Sequence, residues 1–239
     1  IAKIAERVLI TPRDIETYVG IYAKKVTPGS PVVIELANFK TKEYVDTLEV
    51  DGCLVATGRI PATKDLGLES VGAELDRRGY IPVNDSMAVL SGGETVPHLW
   101  AIGDATGKMM LAHAASAQGI VAVENICDRQ RQIDYRSIPA AAFTHPEISY
   151  VGMTETAAKE LGEAEGFKVG TARTYFKGNS KALADGDADG IAKVVYRQDT
   201  GEVLGVHIIG SHASDLIHEA SAAIANRQSV HSLAFLVHA

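Results

Sequence analysis

The first sixty residues carry apolar patterns that predict one short helix followed by three strands. Apolar residues recur at helical spacing over residues 1–10, which predicts a short or truncated helix. Strand-like patterns follow at about 15–27, 31–36 and 47–57. The third pattern changes from alternation to a continuous apolar run, so we expect its end to be buried on both faces of a sheet.

The middle of the chain predicts loop, one buried strand and one long helix. Gly and Pro punctuate residues 58–97, which predicts loop with short strands. An apolar stretch over residues 96–104 predicts a buried strand that ends in a polar turn. An Ala-rich helix is predicted from Leu111 to Cys127. Its predicted apolar face consists of Ile120, Val121, Val123 and Ile126.

The C-terminal part of the chain alternates strand and helix patterns. A polar, charged stretch at 128–137 predicts a domain boundary. Beyond it, Thr154 caps a predicted helix that ends at Gly166. The other predicted elements are strands at 169–176, 190–197 and 202–209, and helices at 211–227 and from about 229. A tight-turn sequence at 198–201 pairs the last two strands as a hairpin. Hairpin-paired strands with helices on one face indicate an α+β domain.

Composition narrows the class of protein and its partners. The 239 residues are 46% hydrophobic and 22% charged, which is ordinary for a globular protein. The net charge of −7 argues against nucleic acid or an anionic membrane as a partner. No apolar run approaches the ~20 residues of a membrane-spanning helix. Because the chain has no initiator Met and both ends interrupt a pattern, we expect a piece of a longer polypeptide.

The two cysteines and the histidines predict no disulfide and no metal site. Cys53 and Cys127 are far apart and belong to no C-x-x-C pair, so we expect both to be reduced and buried or half-buried. The spacing of His207, His212 and His218 matches no ligand pattern for zinc.

Three short motifs carry candidate chemistry. Ala101-Ile-Gly-Asp104 places one carboxylate at the end of an apolar strand, where it is either a ligand for hydroxyl groups or a simple turn residue. Residues 109–119 open the long helix, whose free N–H groups suit an anion, although His113 is equally an ordinary first-turn residue. Ala56-Thr-Gly-Arg-Ile-Pro61 follows directly after a predicted strand.

These three motifs, in this order, resemble the two-dinucleotide flavoprotein disulfide reductases. Residues 144–155 resemble the start of the dimer-interface domain in its dihydrolipoamide dehydrogenase form, and Leu204-Gly-Val-His-Ile-Ile-Gly210 resembles a hairpin strand of that domain. The detail is similar to the plastid and cyanobacterial type. The resemblance implies α/β and α+β architecture: part of an NAD-binding domain (1–60), part of an FAD-binding and central domain (61–133) and a dimerisation domain (134–239).

The resemblance also implies cofactor-binding residues. Asp104 would bind the ribityl chain of FAD, and backbone N–H groups in the helix start would face the flavin pyrimidine edge. The residues of that helix start are Met110, Leu111, Ala112 and His113. Gly58 would approach the nicotinamide of NAD, and Val26 would line its adenine side. Residues 134–239 would form a homodimer.

The reaction implied by the resemblance passes electrons from dihydrolipoamide through a redox disulfide and FAD to NAD. The implied partner is the lipoyl-bearing acyltransferase of 2-oxo acid dehydrogenase complexes, such as the pyruvate dehydrogenase complex. The implied location is the chloroplast stroma or the cyanobacterial cytoplasm. Related reductases of the mercuric or glutathione type, and a non-catalytic dimerisation module, remain as alternatives.

The sequence departs from the family pattern at the reaction centre. It contains neither a G-x-G-x-x-G fingerprint nor paired redox cysteines. His238 corresponds to the first histidine of the family's terminal motif and not to the catalytic base. We therefore assign no catalytic residue and expect the chain by itself to be inactive. We also expect 134–239 to fold without flavin and 1–133 to be looser.

Overall fold

The computed structural model describes residues 2–238, which form two compact units. One unit contains residues 13–60, and the other contains the first twelve residues with the chain from residue 61 onward. Ile1, which the predicted first helix includes, and Ala239, which the predicted C-terminal domain includes, lie outside the described residues.

The unit at 13–60 is built on a three-stranded antiparallel sheet. Its strands are β1 (Ile21–Thr27), β2 (Val32–Asn38) and β3 (Tyr44–Val50), with β2 in the centre. The buried side chains of the sheet, Ile34, Leu36 and Ala37, all lie on β2. The central strand alone is flanked on both edges, which explains why the buried positions concentrate there.

The predicted third strand at 47–57 is wrong at both ends. The observed β3 begins three residues earlier and ends at Val50, and residues 51–60 form no regular structure. Leu54 and Val55 are 90% and 71% exposed instead of buried on two faces. A strand needs a neighbour to satisfy its backbone groups, and no described strand pairs with this stretch. The apolar run therefore has neither a ladder partner nor a covering layer.

The other unit begins with a helical segment and continues, from residue 61, into a small mixed domain. The predicted helix at 1–10 is confirmed for the described residues as α1 (Ala2–Ala5) followed by a π turn (Glu6–Ile10). Within 58–97 the predicted loop carries one 3₁₀ turn (Leu68–Val71) and the hairpin strands β4 (Ala88–Ser91) and β5 (Glu94–Trp100).

The strand predicted at 96–104 is less buried than expected. It corresponds to β5, in which Val96 is the one buried residue, and Ile102 beyond it is 43% exposed. A two-stranded ladder has no second neighbour on its outer edge, so most of the strand keeps some contact with solvent.

The long helix is confirmed, but of its predicted apolar face only Val121 is buried. Helix α2 spans Ala112–Ile126, with Leu111 as its N-cap. Its buried residues are Ala114, Gln118, Val121 and Ala122, at spacings of four, three and one. Ile120, Val123 and Ile126 are each more than half exposed. The core at this point has room for small side chains beside Met87 and Val89, so an alanine-rich stripe packs there while the larger residues face outward.

The C-terminal part forms a five-stranded antiparallel sheet with four helices. The elements are β6 (Ala140–Ala142), β7 (Glu147–Gly152), α3 (Glu155–Glu165), β8 (Val169–Tyr175), α4 (Ser180–Ala184), β9 (Ile191–Arg197), β10 (Val203–Gly210), α5 (Ala213–Ala225) and α6 (Val230–Ala234). The strand order is β6-β7-β10-β9-β8. The predicted strands, the hairpin at 198–201 and the helices α3, α5 and α6 are confirmed, including the Thr154 cap, which accepts a hydrogen bond from the Ala157 N–H.

The sequence pattern predicted that the helices of this domain lie on one face of the sheet. This prediction is wrong, because α5 and α3 lie on opposite faces. Helix α5 packs its Ile217 side chain into a cluster with Val151 and Ile208. Ala192 and Val194 pack against the same cluster. Lys193 lies between them and therefore points to the opposite face, where it binds Glu155 at the start of α3.

The cysteines also differ from expectation, because both Cys53 and Cys127 are exposed free thiols. Cys53 lies in the irregular stretch after β3, and Cys127 is the C-cap of α2, where the chain leaves the core. In the described part of the chain, no helix combines the length and apolar character that crossing a membrane requires.

Candidate functional site

Asp104 lies in a tight turn between strand β5 and helix α2. The turn is a 3₁₀ helix over Gly103–Thr106, and the Thr106 hydroxyl donates to the Gly103 carbonyl at 2.8 Å. Gly103 has φ +71°, a conformation that favours glycine. The Asp104 side chain is exposed, and no hydrogen bond of its carboxylate exists among the described residues. The turn therefore presents a free acceptor at its outer side.

Gln118 holds this turn from inside the protein, and the sequence analysis missed it. Its side chain is fully buried on α2. Its Oε1 accepts from the Gly103 N–H at 2.6 Å, and its Nε2 donates to the Lys108 carbonyl and the Tyr135 hydroxyl, both at 3.1 Å. The sequence does place a polar residue among the small residues of the buried stripe. That position predicts a buried amide only when the buried face of the helix is already known.

The start of helix α2 offers unsatisfied backbone donors. Leu111 occupies the N-cap in an extended conformation and provides no side-chain cap. The first hydrogen bond of the helix is donated by the Ala115 N–H to the Leu111 carbonyl at 2.9 Å. Residues 112–114 thus keep the free N–H groups expected at a helix start, where the helix dipole is positive.

The predicted residues of the helix start do not share one role. The Met110 sulfur accepts from the Tyr80 hydroxyl at 3.9 Å. The His113 ring is engaged elsewhere, with its Nε2 atom 2.7 Å from the Pro139 carbonyl. Only the backbone of His113 is therefore available to a ligand, as the sequence analysis assumed. The structure brings Asp104 and the helix start together through Gln118, which binds both Gly103 and Lys108.

Val26 and Gly58 both lie in the unit at 13–60. Val26 is on β1, 39% exposed, opposite Ile34 of β2. Gly58 has φ +112°, and an added Cβ would meet no atom within 4 Å. The strand predicted to run to residue 57 ends at Val50, so Gly58 follows an irregular stretch instead of a strand.

His238 binds a carboxylate but remains unassigned as a catalytic residue. Its Nε2 atom lies 3.0 Å from Oε1 of Glu219, and both side chains are about half exposed. Among the described residues, no group of three or more His, Cys, Asp or Glu side chains is arranged to hold a metal ion.

Chemically, the arrangement around Asp104 supplies hydrogen-bonding groups of both kinds. It combines an exposed carboxylate, which accepts hydrogen bonds from hydroxyl groups, with backbone N–H donors at a positive helix end. A ligand with both hydroxyl donors and an electron-rich, acceptor-bearing part matches this donor set.

Comparison with family profiles matches nearly the whole chain. The profile of the pyridine nucleotide-disulphide oxidoreductases matches residues 1–119. The profile of the dimerisation domain of the same enzymes matches residues 138–239.

Individual proteins agree with this assignment. The chain is 75% identical over its full length to a dihydrolipoyl dehydrogenase of Synechocystis and 56% identical to chloroplastic dihydrolipoyl dehydrogenase 2 of Arabidopsis thaliana. It covers 50% and 43% of those two proteins, so it spans about half the length of the curated relatives it matches.

Solved structures extend the similarity to the fold. LpdA from Mycobacterium tuberculosis superposes on 99% of the chain with a TM-score of 0.82 at 29% identity, and the chain covers 49% of it. The flavoprotein disulfide reductase RclA of Escherichia coli superposes with a TM-score of 0.84 at 21% identity, a level that concerns the fold alone; the chain covers 51% of it. Together, the two profiles and these relatives show that the chain belongs to the pyridine nucleotide-disulphide oxidoreductase family.

Proposed function

We propose that the chain forms the C-terminal half of a flavoprotein that reoxidises protein-bound dihydrolipoamide with NAD⁺. The observation that carries this proposal is the 75% identity to the Synechocystis dihydrolipoyl dehydrogenase over every residue of the chain. The missing cysteine pair and G-x-G-x-x-G fingerprints would then lie in the other half. The chain by itself would be inactive.

Family membership implies FAD and a pyridine nucleotide as cofactors, and the residues around Asp104 fit a flavin. The chemistry that FAD supplies when bound is electron transfer between a dithiol and a nicotinamide. The Asp104 carboxylate would accept hydrogen bonds from the ribityl hydroxyls. The N–H groups at residues 110, 112 and 113 would donate to the pyrimidine edge of the ring, since the Leu111 N–H already donates to the Met109 carbonyl at 2.7 Å. The positive end of α2 would stabilise negative charge there.

For the nicotinamide cofactor we retain Gly58 beside the nicotinamide and Val26 on the adenine side. What supports Gly58 is the open space around its Cα and its positive φ, which allow a ligand to approach the backbone closely. We also retain the domain bounds 1–60, 61–133 and 134–239 as part of the proposal.

The proposed partners follow from the family and from the relatives. The match of residues 138–239 to a dimerisation domain supports a homodimer through residues 134–239. The lipoyl-bearing acyltransferase of a 2-oxo acid dehydrogenase complex would supply the substrate. The cyanobacterial and chloroplastic relatives support a location in the cyanobacterial cytoplasm or the chloroplast stroma.

A chimera tests the proposal. The chain replaces the matching half of the Synechocystis relative, and NAD⁺ reduction by dihydrolipoamide is measured together with bound flavin. We expect a yellow dimer with dihydrolipoamide-dependent activity and no activity for the chain alone. In Asp104→Ala, a weaker affinity for FAD is expected, because the acceptor for the ribityl hydroxyls is lost. A folded chimera that holds no flavin, or that reduces glutathione disulfide or mercuric ion in place of oxidising dihydrolipoamide, would contradict the proposal.

A further inference from the structure

The Gln118 side-chain amide holds the two ends of the Asp104 turn. It accepts from the backbone N–H of Gly103, which precedes Asp104, and donates to the carbonyl of Lys108, which precedes the start of α2. A donor on one side and an acceptor on the other determine which end of the amide is oxygen. The amide therefore sets the separation between the turn and the helix start.

Tyr135 holds Gln118 in turn. The Tyr135 hydroxyl accepts the second Nε2 hydrogen of Gln118 and donates to the sulfur of Met87 at 3.9 Å. Burial raises the pKa of Tyr135, which keeps the hydroxyl protonated. Met87 is fully buried. The amide is thus anchored to the core cluster at its far side.

Burial decides how strongly this network acts. Gln118 is fully buried, so water cannot replace a lost partner. No buried side-chain polar atom among the described residues lacks a partner, which means that the network is complete as it stands. Loss of the amide would leave the Gly103 N–H and the Lys108 carbonyl without their partners.

We infer that Gln118 is a positioning residue, which holds the Asp104 carboxylate and the start of α2 in register for one ligand. This inference rests on the proposed function for the identity of the ligand, FAD. The hydrogen bonds that hold the turn do not depend on the identity of the ligand.

Hydrogen exchange of the Gly103 amide in the 239-residue chain tests the positioning directly. In Gln118→Met, which keeps the length of the side chain but no hydrogen bond, exchange should accelerate about tenfold or more. Gln118→Glu keeps an acceptor for Gly103 and loses the donors, so it should restore most of the protection. Asn125→Leu is the matched control, because Asn125 is an amide on the same helix that binds the Val121 and Arg131 carbonyls instead. It should leave Gly103 exchange unchanged.

Flavin affinity of the chimera is the second measurement. We expect Gln118→Met to weaken FAD binding about tenfold, with Gln118→Glu closer to wild type and Asn125→Leu unchanged. Unchanged Gly103 exchange in a folded Gln118→Met, or equal FAD affinity in all variants, would overturn the inference. If Gln118→Met does not fold, a tenfold acceleration of Gly103 exchange in folded Gln118→Glu, which retains the acceptor, would overturn it. A wild-type chimera without flavin would overturn the proposed function alone, since Gly103 exchange reports the turn directly.

Discussion

Glu155 shows how a single carboxylate ties a helix to the sheet. It binds Lys159 of the same helix at 2.6 Å and Lys193 of strand β9 at 2.5 Å. The hydrogen bond from Lys159, followed by that from Lys193, lowers the pKa of Glu155 from its ordinary value of 4.5 to about 2. The carboxylate therefore stays charged far into the acid range in the folded state.

This shift predicts an acid-dependent loss of stability. Because the folded-state pKa lies below the unfolded value, the two ion pairs contribute above about pH 4.5 and are lost as pH falls towards 2. We expect Glu155→Gln to lower the free energy of unfolding by about 1 kcal/mol at pH 7 and by progressively less below pH 4.5. Urea unfolding of both proteins from pH 7 to pH 2.5 measures this.

The control is Glu160→Gln, which changes an exposed carboxylate of the same helix that has no ion pair in the described chain. Its effect should be near zero at every pH. A difference between wild type and Glu155→Gln that stays constant down to pH 2.5 would count against the assignment of the shift to these ion pairs.

At the level of secondary structure, a close backbone contact between Met153 and strand β10 positions the chain just before helix α3. The backbone of Met153 passes over Gly205 of strand β10, so closely that a Cβ on Gly205 would lie 2.1 Å from the Met153 oxygen. The Met153 N–H donates to the Leu204 carbonyl at 2.8 Å, and the Met153 carbonyl lies 3.0 Å from Nε2 of His207. The missing side chain at position 205 is what permits this contact.

We predict that Gly205→Ala destabilises the domain by about 2 kcal/mol or more, since the clash is with backbone and cannot be relieved by a rotamer change. Thermal or urea unfolding measures the loss. Gly178→Ala serves as the comparison, because a Cβ there meets nothing within 4 Å. Equal stability of the two variants would show that the crossing can widen at little cost.

The bounds of helix α2 follow from the local sequence pattern, whereas its buried face depends on packing. Its bounds follow from alanine content and from the turn before it, and the prediction of 111–127 differs from the observed helix only at the caps. The orientation of the helix about its axis does not follow from that pattern. Apolarity favoured Ile120, Val123 and Ile126, but the face that packs is the one whose small residues fit beside Met87.

In the described part of the molecule, the stretch at 51–60 is poorly protected by structure. It has no helix or strand, and Leu54, Val55 and Ile60 are each more than two-thirds exposed. By contrast, the sheet of the C-terminal domain buries residues such as Val151 and Ile209 completely. Proteases act where the backbone is accessible and unpaired.

Limited proteolysis with thermolysin, which cuts before large apolar residues, should therefore cleave first at Leu54–Ile60. The expected stable product of this cut begins near residue 61 and includes the C-terminal sheet. A Leu54→Asp, Val55→Asp double variant should slow the first cut several-fold, whereas Leu183→Asp, which alters an exposed leucine in the C-terminal domain, should not. First cleavage inside the sheet of the C-terminal domain would contradict both this expectation and the predicted independence of that domain.

Local chemistry along the chain was enough to predict several elements, and the motifs were enough to indicate the family. The Thr154 cap, the hairpin at 198–201 and the Gly103-Asp104 turn are short-range features, in which neighbouring residues satisfy one another's backbone groups. Three features became apparent only in the folded chain: the buried face of α2, the exposure of 51–57 and the hydrogen bonds of Gln118. Each of these depends on which distant residues supply a neighbouring strand, a packing volume or a hydrogen-bond partner, and no local pattern along the chain contains that information.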